Sequence, residues 1–335
     1  MSLLFLDGFD HYNPQQLNGF LPGAGWGKAT YLSPLAQQVA GRRPTSKALR
    51  LANDGALNTM YYAKALSSPQ TSLIIGMAFR LNQALEDLPL LTLITTTGQQ
   101  FKLSLDSFGI LSLQNAAGTV LSSSTRAFAF NSWHFIELAA TASNSFVARV
   151  NGQQVFSTTA SFGTFAALRL GKNAASNSVL DIDDLYVCNA LGAVNNTFLG
   201  NVRIDTLYPN SDVATGWTSP VANHYSVINK PVPDLNTTLS AEAINLQDTY
   251  NFDDLPAIIA PAILGLQLNS LVASSDGSSA TVKQLVQVGA TTQLLNVHYL
   301  SSDFSYISNV LELNPVTNAA FTEANFNAAK FGLST

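Results

Sequence analysis

The stretch SVLDIDDLYVCN, Ser178–Asn189, places Asp181, Asp183 and Asp184 inside a run that otherwise reads as a buried β-strand. Three acids this close could be metal ligands, a catalytic carboxylate pair, or the polar positions of the strand itself. Glycoside hydrolysis needs two carboxylates across the scissile bond, one with a raised pKa. A string of the form E-x-D-x-x-E would supply them from one strand, and none occurs. The glutamates are Glu86, Glu137, Glu242, Glu312 and Glu323, and none lies near another acid in strand register. Calcium asks for six to eight oxygens from a converging loop. The chain has no D-x-[DN]-x-[DN]-G loop, and a strand aims the carboxylates of DIDD apart. The pattern favours acids that hydrogen-bond backbone amides at a sheet rim and close the strand.

Other reactive types are isolated. His11, His134, His224 and His298 are scattered, with no metal-ligand spacing and no G-x-S-x-G nucleophile beside them. Cys188 is the sole cysteine, which excludes an intrachain disulfide and a cysteine metal cluster. No catalytic residue, metal site or cofactor is expected. Trp26, Tyr31, Tyr61 and Tyr62 could stack on a sugar ring, although the same residue types also pack ordinary cores. The basic segment GRRPTSKALR, with Arg42, Arg43, Lys47 and Arg50, reads as a solvated loop. A basic stripe with interleaved aromatics is missing, so no nucleic-acid partner is expected.

The elements that must position these residues are strands. Between residues 72 and 187, strand-like runs follow one another at short intervals, punctuated by Gly98, Gly109, Gly118, Gly152, Gly163 and Gly171. Phe101, Leu103 and Leu105 share one face, and Lys102, Ser104 and Asp106 the other. VNGQQV is a hairpin signal, because Asn-Gly supplies the positive φ values of a type I′ turn. The class is all-β, a two-sheet sandwich followed by a smaller β-rich domain. The expected division is a sandwich over 1–208, a linker over 209–240 and a C-terminal domain over 241–335. FLGNVRIDTLYP reads as one more strand. Near the end, Thr322 is expected to cap a short helix and Gly332 to stop it, with Phe326, Ala329 and the stem of Lys330 facing inward.

Hydrophobic residues make up 47% of the 335 and charged residues only 11%, with a net charge of −5. The exterior is therefore carried by neutral polar residues, which suits a subunit of an assembly. MSLLFLDGFD lacks the basic start of a secretory leader, and the apolar run at 257–268 is too short to span a bilayer. The expectation is synthesis in a cytoplasm without membrane insertion.

Taken together, FNSWHFIEL, FVARVNGQQVF, LRLG and IDDLYV resemble the concanavalin A-like/laminin-G-like jelly-roll family. With LFLDGFDHY at the start, FLGNVRIDTLYPNSD after the closing strand and LNPVTNAAFTEANFNAAKFGL at the end, the order is similar to that of bacteriophage virion structural proteins. The resemblance implies a peripheral virion subunit on a tail fibre, baseplate or capsid surface. It would be made in the host cytoplasm and assembled with other virion proteins, in a homo-oligomer for which a trimer is favoured. It implies no catalytic residue. The alternative reading is a lectin-like module for a host-surface glycan.

Overall fold

The structure, a computed structural model, describes residues 1–12, 26–28, 36–52, 60–84, 87–172, 178–231, 233–255, 262–275 and 280–335. The chain divides into two units, Met1–Ile204 and Asp205–Thr335.

In the first unit the strands are, in chain order, β1 (Leu3–Asp7), β2 (Trp26–Lys28), β3 (Ala36–Ala40), β4 (Lys47–Leu51) and β5 (Met60–Gln70). They continue with β6 (Leu73–Leu81), β7 (Leu88–Thr95), β8 (Gln100–Leu105), β9 (Ile110–Asn115) and β10 (Val120–Ala127). The last five are β11 (His134–Thr141), β12 (Ser145–Val150), β13 (Gln153–Thr159), β14 (Phe165–Lys172) and β15 (Leu180–Cys188). One sheet of eight strands runs β13-β12-β11-β6-β15-β4-β3, with β1 added to β15. The other, of seven strands, runs β10-β9-β8-β7-β14-β5-β2. The strand pairs are antiparallel, as hairpin-rich connections require, and the sandwich expected from the alternation is present. Alternate residues of the two sheets share one core, among them Phe101, Leu103, Leu105, Leu168, Leu170, Ile75, Phe79 and Ile182. Asn151 (φ 50) and Gly152 (φ 80) form the tight turn between β12 and β13.

The second unit contains β16 (Pro209–Thr215), α1 (Tyr225–Ile228), β17 (Gln247–Phe252), β18 (Leu266–Val272), β19 (Thr281–Val288), β20 (Thr291–Tyr299), β21 (Ser305–Leu311), α2 (Glu323–Asn327) and β22 (Lys330–Ser334). A five-stranded sheet, β16-β17-β22-β19-β20, packs Val286, Phe252 and Phe331 against Leu266, Leu268 and Leu311 of the β18-β21 pair. The segment 209–240 is thus no linker. Its first residues pair with β17, and Thr218 and Ser240 bridge its two ends. Its Pro, Asn and Ser content reflects turns between short elements.

Thr322 caps α2 as expected. Its hydroxyl accepts from the Asn325 amide at 3.2 Å while Asn325 Oδ1 accepts from the Thr322 amide at 2.8 Å. Gly332 does not end that helix. It lies inside β22, where an added Cβ would sit 1.9 Å from the Asp248 carbonyl oxygen, so it permits a close backbone approach.

Candidate functional site

The three aspartates of β15 are buried, at 2% exposure for Asp181 and 0% for Asp183 and Asp184. Strand alternation breaks among them. Leu180 and Ile182 face the core before the break, Leu185 and Val187 after it, and Asp184 adopts φ 50 within a register shift between Asp183 and Tyr186. An inserted residue of this kind is a β-bulge. At the same point the flanking partner of β15 changes from β4 to β1.

The segment expected to be a solvated basic loop meets these acids. Asp181 receives Arg50 in two bonds, 2.7 and 3.0 Å, and Arg80 in two more, 3.1 and 2.7 Å. Asp184 receives Arg43 in a fork, 2.7 and 2.9 Å, and Arg42 Nε at 2.6 Å. Asp183 accepts the Arg42 amide at 3.0 Å and the Ser46 hydroxyl at 3.0 Å. Burial raises the Asp183 pKa, and the neighbouring Asp184 charge adds to the rise. Lys47, by contrast, is exposed, although its amide donates to Asp10.

The acids also hold the segment before Ile204 across the outer side of the eight-stranded sheet. The Ile204 amide donates to Asp184 at 2.7 Å, Gly200 N to Glu137 at 2.8 Å and Leu199 N to the Tyr186 hydroxyl at 3.1 Å. Arg42 bonds to Asn201 and to the Val202 carbonyl, and Arg149 lies over Phe198 at 4.2 Å. FLGNVRIDTLYP is therefore not a strand before Pro209. Side chains of the sheet, rather than a neighbouring strand, take up these amides. The acids do bind backbone amides as expected, but arginines are their principal partners and the sheet's covered face, not its rim, is their place. Among the described residues no three His, Cys, Asp or Glu side chains converge as a metal site.

Of the aromatics considered as a sugar platform, Trp26 and Tyr62 are core residues with 1% and 2% exposure. Trp26 packs edge-on to Phe5 at 5.6 Å, and its indole donates to Asp7 Oδ2 at 3.2 Å. Burial pushes the Tyr62 hydroxyl up to about 12. Both are thereby removed from a surface platform. Tyr31 lies outside the described residues. Tyr61 differs because consecutive strand residues point to opposite faces. With Tyr62 inward, Tyr61 faces out, half-buried, with the Arg169 guanidinium 3.9 Å from its ring centroid.

Tyr61 stands at one end of an ordered surface. Ala63 pairs with Arg169, Arg169 with Thr92, Thr92 with Lys102, Lys102 with Gln114 and Gln114 with Val120. Three of the four polar residues have core residues on both sides in their strands, Leu168 and Leu170, Leu91 and Leu93, and Phe101 and Leu103, and Gln114 has Leu113 on one side. They therefore form one row across the outer face of the seven-stranded sheet. At about 4.8 Å per strand the row from Ala63 to Val120 is about 24 Å long. Thr92 and Gln114 form a buried floor, while Arg169 and Lys102 are half-exposed. Gln114 donates to Asp87 Oδ2 at 2.7 Å and Lys102 Nζ to the Ala116 carbonyl at 3.1 Å. Two buried polar atoms on this face, Arg169 Nε and Ser104 Oγ, have no hydrogen-bond partner. Lys102 is outward-facing by alternation alone, but the row is not legible in the sequence, because alternation gives each strand's faces and not the register between strands.

The second unit has a polar centre of its own. Asp248 Oδ2 accepts the Tyr250 hydroxyl at 2.8 Å and lies 2.6 Å from His224 Nδ1, while Asp248 Oδ1 accepts the Trp217 amide at 2.8 Å. Asp212 takes the amides of His224 and Tyr225 at the start of α1. His298 bonds to Asn309 at 2.9 Å and His134 to the Ala129 carbonyl at 3.0 Å, so these histidines serve local structure.

No family model and no curated protein matches the chain. Among solved structures it is similar to the cellulose-induced protein Cip1, with 11% identity and TM-score 0.44 over 58% of this chain and 99% of that one. It is similar to domain 4 of AbnA, an extracellular arabinanase of Geobacillus stearothermophilus in complex with arabinotriose, with 14% identity and TM-score 0.43 over 56% and 93%. A carbohydrate esterase of the Shiga toxin-encoding bacteriophage phi24B matches with 15% identity and TM-score 0.40 over 55% and 99%.

Proposed function

We propose that the chain is a glycan-binding structural protein whose first unit recognises a polysaccharide on the outer face of its seven-stranded sheet. The observation that supports this is the row Arg169–Thr92–Lys102–Gln114 with Tyr61 beside it. A pyranose offers an apolar C–H face and a rim of hydroxyls. Tyr61 presents a flat ring to the first, and the row supplies donors and acceptors at strand spacing to the second. Ala63, Ala65 and Ala167 keep the surface low beside Arg169 and leave room for a chain. The proposed action is recognition without catalysis. The test is a glycan array probed with the protein and with Tyr61→Ala. Binding that the substitution weakens supports the reading, and an array with no hits overturns it.

A second reading, assembly with copies of itself inside a virion, is supported by β20. This strand ends the five-stranded sheet, contains no Asp, Glu, Lys or Arg, and exposes Leu294, Val297 and Tyr299. Edge strands that remain free of partners usually carry charges, prolines or bulges, and of these β20 has only a bulge, opposite Lys283–Leu285. A second copy meeting β20 antiparallel would bring no like charges together. The two readings are compatible in one tail or capsid-surface protein, the setting suggested by the order of segments from LFLDGFDHY to the C-terminus. This isologous contact closes a dimer, and the trimer favoured from the sequence would require a different, head-to-tail interface.

A further inference from the structure

We infer that the ligand of the seven-stranded face is an acidic polysaccharide, with one carboxylate met by Arg169 and another by Lys102 along the row. This rests on the reading of that face as a glycan site and names the class of glycan it takes.

Cations on the two sheets are partnered differently, Arg149 of β12 excepted, which lies over the neutral Phe198 ring. On the eight-stranded sheet, Arg42, Arg43, Arg50 and Arg80 are all neutralised by Asp181 or Asp184. On the seven-stranded sheet, among the described residues, neither Arg169 nor Lys102 has an ion-pair partner. Arg169 lies over a neutral ring and Lys102 donates to a backbone carbonyl. Both residues pair with Thr92 on opposite sides, so their Cα atoms stand about 10 Å apart, two strand spacings. Their charged ends diverge, Arg169 toward Tyr61 and Lys102 toward the Ala116 carbonyl, so each meets a separate carboxylate of one polymer. The chain as a whole carries net charge −5, so two unneutralised cations in one row do not follow from a generally basic composition.

The arginine is suited to the task. Stacking on Tyr61 fixes the plane of its guanidinium. A planar donor edge matches a carboxylate, which accepts two parallel bonds. The half-buried setting limits screening of the charge by solvent. Asp87, bonded to Gln114, repels an anion at the far end of the row.

The test uses the full chain with polygalacturonate and the same polymer after reduction of its carboxyl groups, measured by affinity electrophoresis and calorimetry at two salt concentrations. The expected result is binding of the acidic polymer at least about tenfold tighter than the reduced one, weakening with salt. Arg169→Gln and Lys102→Gln should each erase about five- to tenfold of that preference, weakening binding of the acidic polymer by more than that of the reduced one. Lys102→Gln changes an accessible side chain and serves if Arg169→Gln impairs folding. Equal affinity for the two polymers, or a preference that both variants retain, overturns the acidic ligand and leaves the glycan face standing. Binding of neither polymer, together with an array without hits, overturns both.

Discussion

Replacing Asp184 with alanine should destabilise the first unit by about 3–5 kcal/mol, the range for removing one partner of a buried ion pair. The figure follows from what is left behind. The Asp184 side chain is fully buried, and the arginines it neutralises, Arg42 and Arg43, are only 15% and 18% exposed. Both would keep their charge with little access to water. The Ile204 amide would also lose its acceptor. Alanine additionally strains at φ 50, a conformation asparagine tolerates. Asp181→Ala is the internal comparison, because Arg50 and Arg80 are each 32% exposed and can be rehydrated. Its cost should be smaller, about 1–3 kcal/mol. For a unit of this size each kcal/mol moves the midpoint by about 2–4 °C, so Asp184→Ala should lower Tm by about 6–20 °C. Asp184→Asn should fall between, since it keeps the backbone conformation but not the charge. Calorimetry and urea unfolding measure all three. If Asp184→Ala costs no more than Asp181→Ala, or less than about 1 kcal/mol, the view that buried arginine pairing holds the Gly200–Ile204 segment in place is wrong.

Burial pushes Asp10 up to about 7, against the stabilising bond it accepts from the Lys47 amide, and raises Asp183 as well. The folded state therefore holds protons that the unfolded chain, with carboxyls near 4, has released. These two groups favour folding at low pH, and that contribution is lost as pH rises from about 4 through 7. Asp10→Asn should flatten this part of a stability–pH profile, and an unchanged slope would count against it. Gly332→Ala would force a Cβ onto the Asp248 carbonyl in the middle of a sheet, at a cost of about 3 kcal/mol or more. Loss of amide protection in β17, β19 and β22 by hydrogen exchange would register it, and unaltered protection would refute the close approach. Val297→Lys in β20 should lower self-association in sedimentation experiments by about tenfold or more. An unaltered oligomer would remove β20 from the interface.

The sandwich was legible because alternation of large apolar and polar residues is local. Phe101, Leu103 and Leu105 announce a strand and its inner face without reference to any other segment. What stayed hidden depended on contacts far apart in the chain. The basic segment and the acids meet across separations of 131 to 141 residues, so each looked solvated or rim-bound on its own. The bulge at Asp184 shifts the faces of β15 by one residue, and no residue type in DIDD marks it. Tyr61 and Tyr62 could have been separated beforehand, since neighbours in a strand cannot both face outward. The row from Arg169 to Gln114 needed the register of four strands.

The most direct test labels alanine methyl groups with carbon-13 and follows their NMR shifts as a bound glycan is titrated. Ala63, Ala65 and Ala167 flank Arg169 on the proposed face, whereas Ala140 and Ala148 are fully buried in the other sheet. The account predicts that the first three methyls move with ligand while Ala140 and Ala148 stay fixed. Saturable binding that leaves Ala63, Ala65 and Ala167 unmoved would contradict it.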